Sequence, residues 1–292
     1  MHIAIYGRQH GEFVVPYVEQ VISELKQHNC SFTIYESFYN FLAQYSEAVR
    51  KCDIFTSTND LRNNTDFLFC IGGDGSMLDT VTLVQDTGIP VMGINTGRLG
   101  FLSSVSKEDF SHALENLIIG NYSIDKRTLL RLESSQKLFG DVKYALNELT
   151  VIKKYSATMI KVHVYLNGEF LNSYWADGII ISTPTGSTGY SMSCGGPIII
   201  PQSENFVITP IAPHNLNVRP VVVSDKNIIS LEIEGRSGFY LASLDARSVT
   251  IDSSVQLAVR REDFSFNRIR FENDNFLNTI RTKLSWGLDT RN

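Results

Sequence analysis

The stretch Phe67-Leu68-Phe69-Cys70-Ile71-Gly72-Gly73-Asp74-Gly75-Ser76 places a glycine-rich turn directly after an apolar strand. A helical pattern follows, with Met77, Leu78 and Val81 on one side. Strand, turn and helix together form a phosphate-binding geometry. Glycines let the backbone approach an anion closely, and a helix N-terminus offers free N–H groups. The stretch therefore predicts an α/β unit with a site for a phosphorylated ligand.

Asp74 does not fit a simple phosphate cradle, because a carboxylate has the wrong charge for holding phosphate. Two chemical roles suit it: a general base, or a partner of a cation bound to the phosphate. A plain tight turn also explains Gly-Asp-Gly, since glycine and aspartate are common turn residues. The turn by itself leaves all three interpretations open.

Strands and helices alternate in the first third of the chain. Strands are predicted at Ile3 to Tyr6, Phe32 to Ile34, Asp66 to Ile71 and Ile89 to Ile94. An apolar stripe predicts the first helix, with Pro16 in its first turn: Val18, Val21, Ile22 and Leu25. Ser106 and Asp109 resemble a capping box that opens another helix, which ends at Gly120. This alternation predicts a parallel sheet covered by helices.

After about Asn121 the pattern changes to short strands and hairpins. Asn167-Gly168 between apolar runs fits a type I′ turn. Further strands are predicted at Ile228 to Ile233, Tyr240 to Leu244 and Val255 to Val259, and a last helix over Phe276 to Trp286. We therefore predict an α/β domain over residues 1–122, onto which residues 270–292 pack back. A β-rich domain is predicted over residues 123–269.

Composition narrows the classes of function. The length of 292 residues suggests two domains, and the net charge of −5 argues against a broad nucleic-acid surface. No apolar run approaches the roughly 20 residues of a membrane helix, and the chain begins directly as a strand rather than as a signal peptide. The four cysteines are far apart, which favours reduced thiols in the cytoplasm over a zinc site or disulfide framework.

Several motifs are absent. The sequence has no P-loop, no Gly-x-Ser-x-Gly elbow, no protein-kinase signature and no His-Glu-x-x-His. His163 alternates within a predicted strand, which favours a structural role, whereas His214 lies in a predicted loop and is ambiguous. No cluster of side chains predicts a metal site built by the chain itself.

A second loop of small residues, Ser182 to Pro197, is rich in hydroxyl groups and glycines beside the ring of Tyr190. This combination suits a nucleoside, with hydroxyl and backbone groups for base and ribose and an aromatic face for stacking. A hydroxyl-rich turn with Tyr190 packed in the core explains it equally well. Asp177-Gly178 and an apolar strand precede the loop.

Two shorter segments add weaker signals. Asn147-Glu148, after the strand-like Val142 to Leu146, could clamp a ribose diol or be a solvated turn. The turn Asn95-Thr96-Gly97-Arg98-Leu99-Gly100-Phe101-Leu102 offers Arg98, which could pair with phosphate or be solvated.

Together, Gly72-Gly73-Asp74-Gly75, Asn95 to Phe101, Asn147-Glu148 and Asp177 to Pro197 resemble the NAD kinase family of bacterial ATP–NAD kinases, and the resemblance continues through Asn205 to Pro220. The resemblance implies phosphorylation of the 2′-hydroxyl on the adenosine ribose of NAD to give NADP. ATP is the implied donor, with Mg²⁺ or another divalent cation. It further implies a Rossmann-like N-terminal domain, a β-sandwich-like C-terminal domain, a site between them, and a homodimer or homotetramer. From composition we predict a cytoplasmic protein with no nucleic-acid or membrane partner.

The resemblance also assigns roles to residues. It implies that Asp74 is the catalytic proton acceptor, and that Asn147 and Glu148 hold ribose and adenine groups. It places Asp177 toward the nicotinamide end, with Tyr190 as a wall of the adenosine pocket. The full implied set of nucleotide-binding residues is Gly72, Gly73, Asp74, Gly75, Asn147, Glu148, Asp177, Thr188, Gly189, Tyr190, Ser191, Met192, Ser193 and Ala212.

Three positions depart from the family pattern: Ser76, Asp79 and Ala246-Arg247. They bear on the choice of phosphate donor and on the detail of the nucleotide pocket. Two rival functions remain. One is a lipid or sugar-phosphate kinase that shares the Gly-Gly-Asp-Gly turn, although the Asp177 to Pro197 loop is not expected there. The other is a non-catalytic NAD(H)-binding sensor, against which the intact Asp74 argues.

Overall fold

The structure is a computed structural model that describes residues 1–9, 11–97, 100–154, 158–236, 238–272 and 274–286. The chain divides into two compact units. Unit one comprises Met1–Lys126 with Asn267–Asn292, and unit two comprises Arg127–Phe266.

Strands and helices are numbered in chain order. The strands are β1 (His2–Gly7), β2 (Ser31–Tyr35), β3 (Asp53–Phe55), β4 (Phe67–Ile71), β5 (Val91–Asn95), β6 (Val105–Ser106), β7 (Ser123–Ser134), β8 (Tyr144–Ala145), β9 (Glu148–Lys153), β10 (Ile160–Leu166), β11 (Glu169–Ala176), β12 (Gly178–Ser182), β13 (Asn205–Ile211), β14 (Val221–Ser224), β15 (Ile229–Glu234), β16 (Phe239–Leu244), β17 (Arg247–Asp252) and β18 (Leu257–Arg270). The helices are α1 (Val15–Gln27), α2 (Glu36–Leu42), α3 (Thr58–Leu61), α4 (Asp74–Val84), α5 (Phe110–Ile118), α6 (Tyr190–Ser193) and α7 (Phe276–Leu284).

Unit one contains the predicted parallel sheet, with the strand order β3-β2-β1-β4-β5. β4 lies in the middle, where Phe69 pairs with Ile5 of β1 and with Met92 of β5. All five residues of β4 are buried, as its unbroken apolar run requires in a sheet covered on both faces. Because the sheet is parallel, the Gly-Gly-Asp-Gly turn lies at the carboxyl edge of its central strand, where open α/β sheets bind ligands.

The helices of unit one confirm the apolar stripe of α1 and correct one helix start. Ser106 and Asp109 do bond to each other, through Ser106 Oγ to Asp109 Oδ2 at 2.7 Å and Asp109 N–H to Ser106 Oγ at 3.1 Å. The predicted start was nevertheless wrong, because these bonds close a turn and α5 begins only at Phe110. α7 confirms the prediction that the C-terminal helix returns to the first unit: Ile280 is buried, and the ring of Phe276 lies 6.3 Å from that of Phe101.

Unit two is β-rich, as predicted, and its strands form antiparallel sheets. One sheet has the order β14-β13-β12-β9-β16-β17 and the other contains β11-β10-β15-β18. The inward side chains of both sheets share one core, which includes Val151, Val162, Ile181 and Leu231. The turn between β10 and β11 has positive φ at both Asn167 (52°) and Gly168 (86°), which confirms the type I′ hairpin.

Candidate active site

The turn after β4 depends on glycine at position 72. Its φ is +151°, and a Cβ there would lie 2.4 Å from Ser76 Oγ. α4 begins at once with Asp74, after Gly73 as its N-cap residue. Sequence alone thus places a carboxylate in the first turn of a helix, where the helix dipole favours negative charge.

The carboxylate of Asp74 is held by three consecutive backbone amides of the segment 100–103. Oδ2 accepts from the N–H of Phe101 at 2.8 Å, and Oδ1 accepts from Leu102 at 2.9 Å and Ser103 at 3.2 Å. Gly100 is required beside them, because a Cβ there would lie 1.8 Å from Asp74 Oδ1. The backbone N–H groups of residues 101–103, which follow Gly100, therefore orient the Asp74 carboxylate. The predicted phosphate contact of Arg98 lies outside the described residues, as does Leu99.

Within the described ranges, one acceptor position of the Asp74 carboxylate is not used by a backbone amide. A carboxylate offers about four acceptor sites, and the three amides occupy both on Oδ1 and one on Oδ2. The free site on Oδ2 faces a cation, since the Lys283 ammonium of α7 lies 3.6 Å from this atom and 4.7 Å from the centre of the Phe101 ring. The Asp74 side chain remains 32% exposed, so a ligand can reach it.

A second cation reaches the turn from the end of β1. The Arg8 guanidinium pairs with Asp79 through Nε–Oδ2 at 2.5 Å and Nη2–Oδ1 at 2.7 Å. Arg8 Nη2 also donates to the Gly75 carbonyl at 3.0 Å, and the Tyr6 hydroxyl donates to Asp79 at 2.7 Å. Asp79, a departure from the family pattern, is thus the anchor that holds Arg8 over the turn.

In unit two, the Asn147-Glu148 turn and the loop after β12 are packed together. Thr183 donates from its N–H to the Asn147 carbonyl at 2.9 Å and from its hydroxyl to the Leu146 carbonyl at 2.5 Å. A Cβ at Gly186 would lie 2.2 Å from the Asn147 carbonyl oxygen. The two segments that the sequence singled out separately therefore form one surface.

Two buried polar atoms of this surface lack a hydrogen-bond partner among the described residues: Asn147 Oδ1 and Glu148 Oε2. A Cβ added at Gly189 would lie 3.4 Å from Glu148 Oε2 and 3.6 Å from Asn147 Nδ2, so the glycine keeps this space open. Burial, followed by the charge of Asp245, raises the pKa of Glu148 to about 8. At pH 7 its carboxyl is therefore mostly protonated and can donate as well as accept. Buried polar groups without partners are costly, which makes these atoms candidates for ligand contacts.

The loop after β12 is more ordered than predicted. It contains a 3₁₀ turn, Gly186–Thr188, followed by α6. Ser191 is buried and bonds Thr209 Oγ1 at 2.8 Å, whereas Tyr190 is 43% exposed. The alternative of a core tyrosine was therefore wrong. Among the other predicted contacts in the loop, Thr188 and Met192 are half-buried and Ser193 is exposed.

Asp177 and Ala212 lie together at the opposite end of β12. Asp177 donates its N–H to the Ile211 carbonyl at 2.9 Å, and its carboxylate pairs with Lys153 at 2.6 Å. Ala212 follows with φ of +44° and is exposed. Glu148 pairs with Ser182, at the other end of β12. The two ends of this strand, Gly178 and Ser182, are about 13 Å apart. The predicted residues of unit two thus spread along one strand, as an extended ligand would require.

Sequence reasoning missed the residues that hold the Asn147-Glu148 turn. The Asp245 carboxylate accepts from the N–H groups of Leu146, Asn147 and Glu148, and Arg247 donates to two carbonyls before them. The sequence pointed to this segment only through Ala246-Arg247, which departs from the pattern of the family that the chain resembles.

The two histidines considered in the sequence, His163 and His214, both lie in unit two. His163 lies 2.7 Å from Ser173 Oγ and 3.3 Å from Glu234 Oε1 within the sheet, in keeping with the predicted structural role. His214 is exposed, and its N–H donates to the Trp175 carbonyl at 2.8 Å. Within the described ranges, no three His, Cys, Asp or Glu side chains are grouped as metal ligands. Every helix in those ranges is too short or too polar to cross a membrane.

Comparisons with known proteins show the family to which the chain belongs. The model of the ATP-NAD kinase N-terminal domain matches residues 3–122, and that of the ATP-NAD kinase C-terminal domain matches residues 146–271. The chain is 48% identical over 293 residues to an NAD kinase from Cytophaga hutchinsonii, with all of both chains covered. It is 39% identical over 291 residues to one from Bacteroides fragilis, again with both chains fully covered.

Solved structures show the same fold. A yeast NADH kinase complexed with NADH superposes with a TM-score of 0.86 at 22% identity, covering 100% of this chain and 89% of the other. An NAD kinase from Archaeoglobus fulgidus in complex with ATP gives a TM-score of 0.77 at 26% identity, covering 98% and 100%. The chain belongs to the NAD kinase family.

Proposed function

We propose that this enzyme of the NAD kinase family uses Asp74 to accept the proton of the 2′-hydroxyl on the adenosine ribose of NAD. The chain phosphorylates NAD, and ATP is the phosphoryl donor. As the hydroxyl oxygen forms its bond to the γ-phosphorus, the bond from that phosphorus to the bridging oxygen of ADP breaks. The hydroxyl proton passes to Asp74, so the products are NADP and ADP.

The position of Asp74 Oδ2 is the observation that carries this proposal. Three amide donors fix the carboxylate and leave one acceptor position on Oδ2, and the side chain is 32% exposed. A ribose hydroxyl is a poor nucleophile, and a positioned carboxylate that accepts its proton contributes typically ~10²–10⁴-fold to the rate. A plain tight turn would not need a carboxylate held in this way.

The residues of unit two supply the NAD contacts in this proposal. Asn147 Oδ1 and Glu148 Oε2 are buried acceptors without partners among the described residues, and they suit ribose and adenine polar groups. The exposed ring of Tyr190 suits stacking against the adenosine. Asp177 and Ala212, at the far end of β12, suit the nicotinamide end of an extended dinucleotide.

The phosphate donor meets positive charge in unit one. α4 presents its N-terminus at the Gly-Gly-Asp-Gly turn, which favours the phosphates of ATP. Lys283 and Arg8 place cationic groups at the same turn, and we assign to Lys283 the neutralisation of the phosphoryl group beside Asp74.

Mg²⁺ enters this scheme as part of the substrate MgATP. Proteins usually hold Mg²⁺ with few carboxylates plus substrate phosphates, so a cation that arrives with ATP does not require a cluster of protein ligands. When bound, the cation neutralises charge on the β- and γ-phosphates.

A direct assay tests the proposal. Purified enzyme is given NAD and MgATP, and NADP is measured with a coupled dehydrogenase specific for NADP. The same preparation is offered a diacylglycerol and a sugar phosphate, and NAD affinity is measured by calorimetry. NAD binding without turnover would establish a sensor, and turnover of another acceptor alone would establish a different kinase.

Two further properties remain predictions. We expect a homodimer or homotetramer, which light scattering of the purified protein would reveal as two or four times the mass of one chain. We expect the enzyme to act in the cytoplasm, which cell fractionation would test.

A further inference from the structure

The turn between β16 and β17 grips the segment that carries Asn147 and Glu148. Asp245 Oδ2 accepts from the Leu146 N–H at 2.9 Å, and Oδ1 accepts from Asn147 at 2.8 Å and Glu148 at 3.2 Å. The Asp245 N–H donates in return to the Glu148 carbonyl at 3.1 Å. Three consecutive amides and one carbonyl of the candidate NAD-binding turn are thus fixed by one residue.

Arg247 holds the carbonyl groups of the same segment. Its guanidinium donates through Nη2 to the Tyr144 carbonyl at 2.5 Å and through Nη1 to the Val142 carbonyl. We call Asp245 and Arg247 together the β16–β17 clamp. The clamp supplies an acceptor for the N–H groups and donors for the carbonyls, so the backbone from 142 to 148 has little freedom to move.

Two features of Asp245 are unfavourable for folding: its backbone conformation and the burial of its carboxyl. Asp245 has φ of +51°, in the left-handed region that non-glycine residues rarely adopt. Burial raises the pKa of its carboxyl, and the three amide bonds and the charge of Arg247 oppose this change. Strained, buried polar groups persist where the surroundings fix them, and they are concentrated at functional sites.

We infer that Asp245 is a positioning residue for NAD: it sets the Asn147-Glu148 turn so that Asn147 Oδ1 and Glu148 Oε2 face the dinucleotide. The inference rests on the proposed function, since it assumes that this turn binds NAD. Asp245 acts through the turn, because its contacts with the segment 146–148 are to backbone groups and the side chains of that segment are the candidate NAD ligands.

The clamp also affects the protonation of Glu148. After burial, the charge of Asp245 is the cause that raises the pKa of Glu148. Among the described residues, Arg247 of the same turn acts on the charge of Asp245, and Tyr144 of the segment that the clamp holds acts on the charge of Arg247. Removing the Asp245 charge should therefore lower the pKa of Glu148.

The experiment compares Asp245→Asn and Asp245→Ala with Asp252→Asn in the full-length enzyme. Asp252 is a matched control: its carboxylate also accepts a backbone N–H, that of Ser254 at 2.8 Å, but in a turn away from Asn147. We measure the dissociation constant for NAD, KM for NAD and for ATP, melting temperature, and the pH dependence of kcat/KM for NAD.

We expect Asp245→Ala to raise KM for NAD at least tenfold and KM for ATP less than threefold. Asp245→Asn keeps one carbonyl oxygen and should fall between Ala and wild type. It should also move the alkaline limb of the pH profile to lower pH, whereas Asp252→Asn should match wild type throughout.

Two results would overturn the inference. One is an Asp245→Asn enzyme with wild-type KM for NAD and an unmoved pH profile. The other is loss of folding in Asp245→Asn while Asp252→Asn folds, which would show that Asp245 is needed only for the fold. Wild-type turnover of NAD tests the proposed function separately, because the dissociation constants for NAD compare the variants even if the wild type makes no NADP.

Discussion

Asp74 in unit one and Asp245 in unit two are bound in the same way. Each carboxylate collects three consecutive backbone amides from a distant segment: residues 101–103 for Asp74 and 146–148 for Asp245. They differ in what surrounds the carboxylate. Asp74 is partly exposed, sits at a helix N-terminus and has a lysine beside its free acceptor site. Asp245 lies in a hairpin turn in which the neighbouring arginine grips the same segment that it holds.

The difference teaches that one hydrogen-bonding pattern can serve two purposes. In our proposal, the amides support Asp74 and its carboxylate is the reacting group. For Asp245 we infer the reverse: the carboxylate supports the turn, and the side chains of Asn147 and Glu148 are the binding groups. The cations beside the carboxylates differ: Lys283 belongs to a separate helix, whereas Arg247 belongs to the same turn as Asp245 and holds the same segment.

The strongest test of this contrast is Asp74→Asn. The amide oxygen can still accept from Leu102 and Ser103, but the NH2 group cannot accept from Phe101 or take up the ribose proton. Turnover should therefore fall by about 10²–10⁴-fold. NAD affinity should stay within several-fold of wild type. Steady-state kinetics and calorimetry at saturating ATP measure both. Near-wild-type turnover would refute the general-base role.

Gly100→Ala asks whether the support of Asp74 matters as much as its chemistry. The new Cβ would lie 1.8 Å from Asp74 Oδ1, so the carboxylate or the segment 100–103 must shift. We expect turnover to fall at least tenfold and stability to fall by about 1–3 kcal/mol, as for overpacking. Gly97→Ala in the same loop is the control, because its Cβ would meet only Asn95 Oδ1 at 3.9 Å. Equal behaviour of the two variants would contradict the close approach.

Tyr190→Ala tests the binding surface that Asp245 supports. If the exposed ring stacks on adenosine, NAD binding should weaken by roughly 1–3 kcal/mol, on the scale of base–aromatic stacking. Tyr190→Phe keeps the ring and should change little. Melting temperatures serve as the control, since the ring is 43% exposed and its removal should hardly affect the fold. Unchanged NAD affinity would remove Tyr190 from the pocket.

Glu148→Gln tests the electrostatic side of the comparison through pH. The pKa of Glu148 is about 8 in the folded chain, against 4.5 as its ordinary value. Between these values the unfolded chain releases the proton and the folded chain keeps it, so the contribution to stability is complete below pH 4.5 and is lost as pH rises through 8. We expect the free energy of unfolding of the wild type to fall by about 1–2 kcal/mol over this pH range. The fall is limited because the side chain as a whole is half-buried, so that solvent screens part of its charge. Melting curves from pH 5 to 9 should flatten in Glu148→Gln; identical slopes would argue against a buried, neutral carboxyl.

Lys283→Ala should have the smallest effect. The ammonium is partly exposed and 3.6 Å from Asp74, so the pair is worth about 0.2–1 kcal/mol. We expect kcat/KM for ATP to fall up to about fivefold while KM for NAD is unchanged. Lys283→Arg should restore most of the loss, and Arg281→Ala in the same helical turn is the control. An effect on NAD rather than ATP would place Lys283 elsewhere in the reaction.

Sequence reasoning found the parts of the site that depend on residue type. The apolar run of β4, the glycines after it and the Asn167-Gly168 hairpin require particular side chains, and each was predicted correctly. The amide donors to Asp74 and Asp245 could not be found in this way, because every non-proline residue carries the same N–H group. Their contacts also join residues far apart in the chain. The glycine at position 100 was visible in the sequence, and only glycine fits beside Asp74. The sequence did not show, however, that Asp74 is the residue it contacts.

In our proposal Glu148 contacts NAD, so the raised pKa of its carboxyl has a consequence for inhibitor design. A basic amine aimed at this residue would meet a neutral acid at pH 7 and gain little from an ion pair. A neutral group with an acceptor for the carboxyl and a donor for Asn147 Oδ1 matches both buried atoms. A primary carboxamide or an aminopyridine has that pairing, and the potency of such compounds should decline in assays run above pH 8.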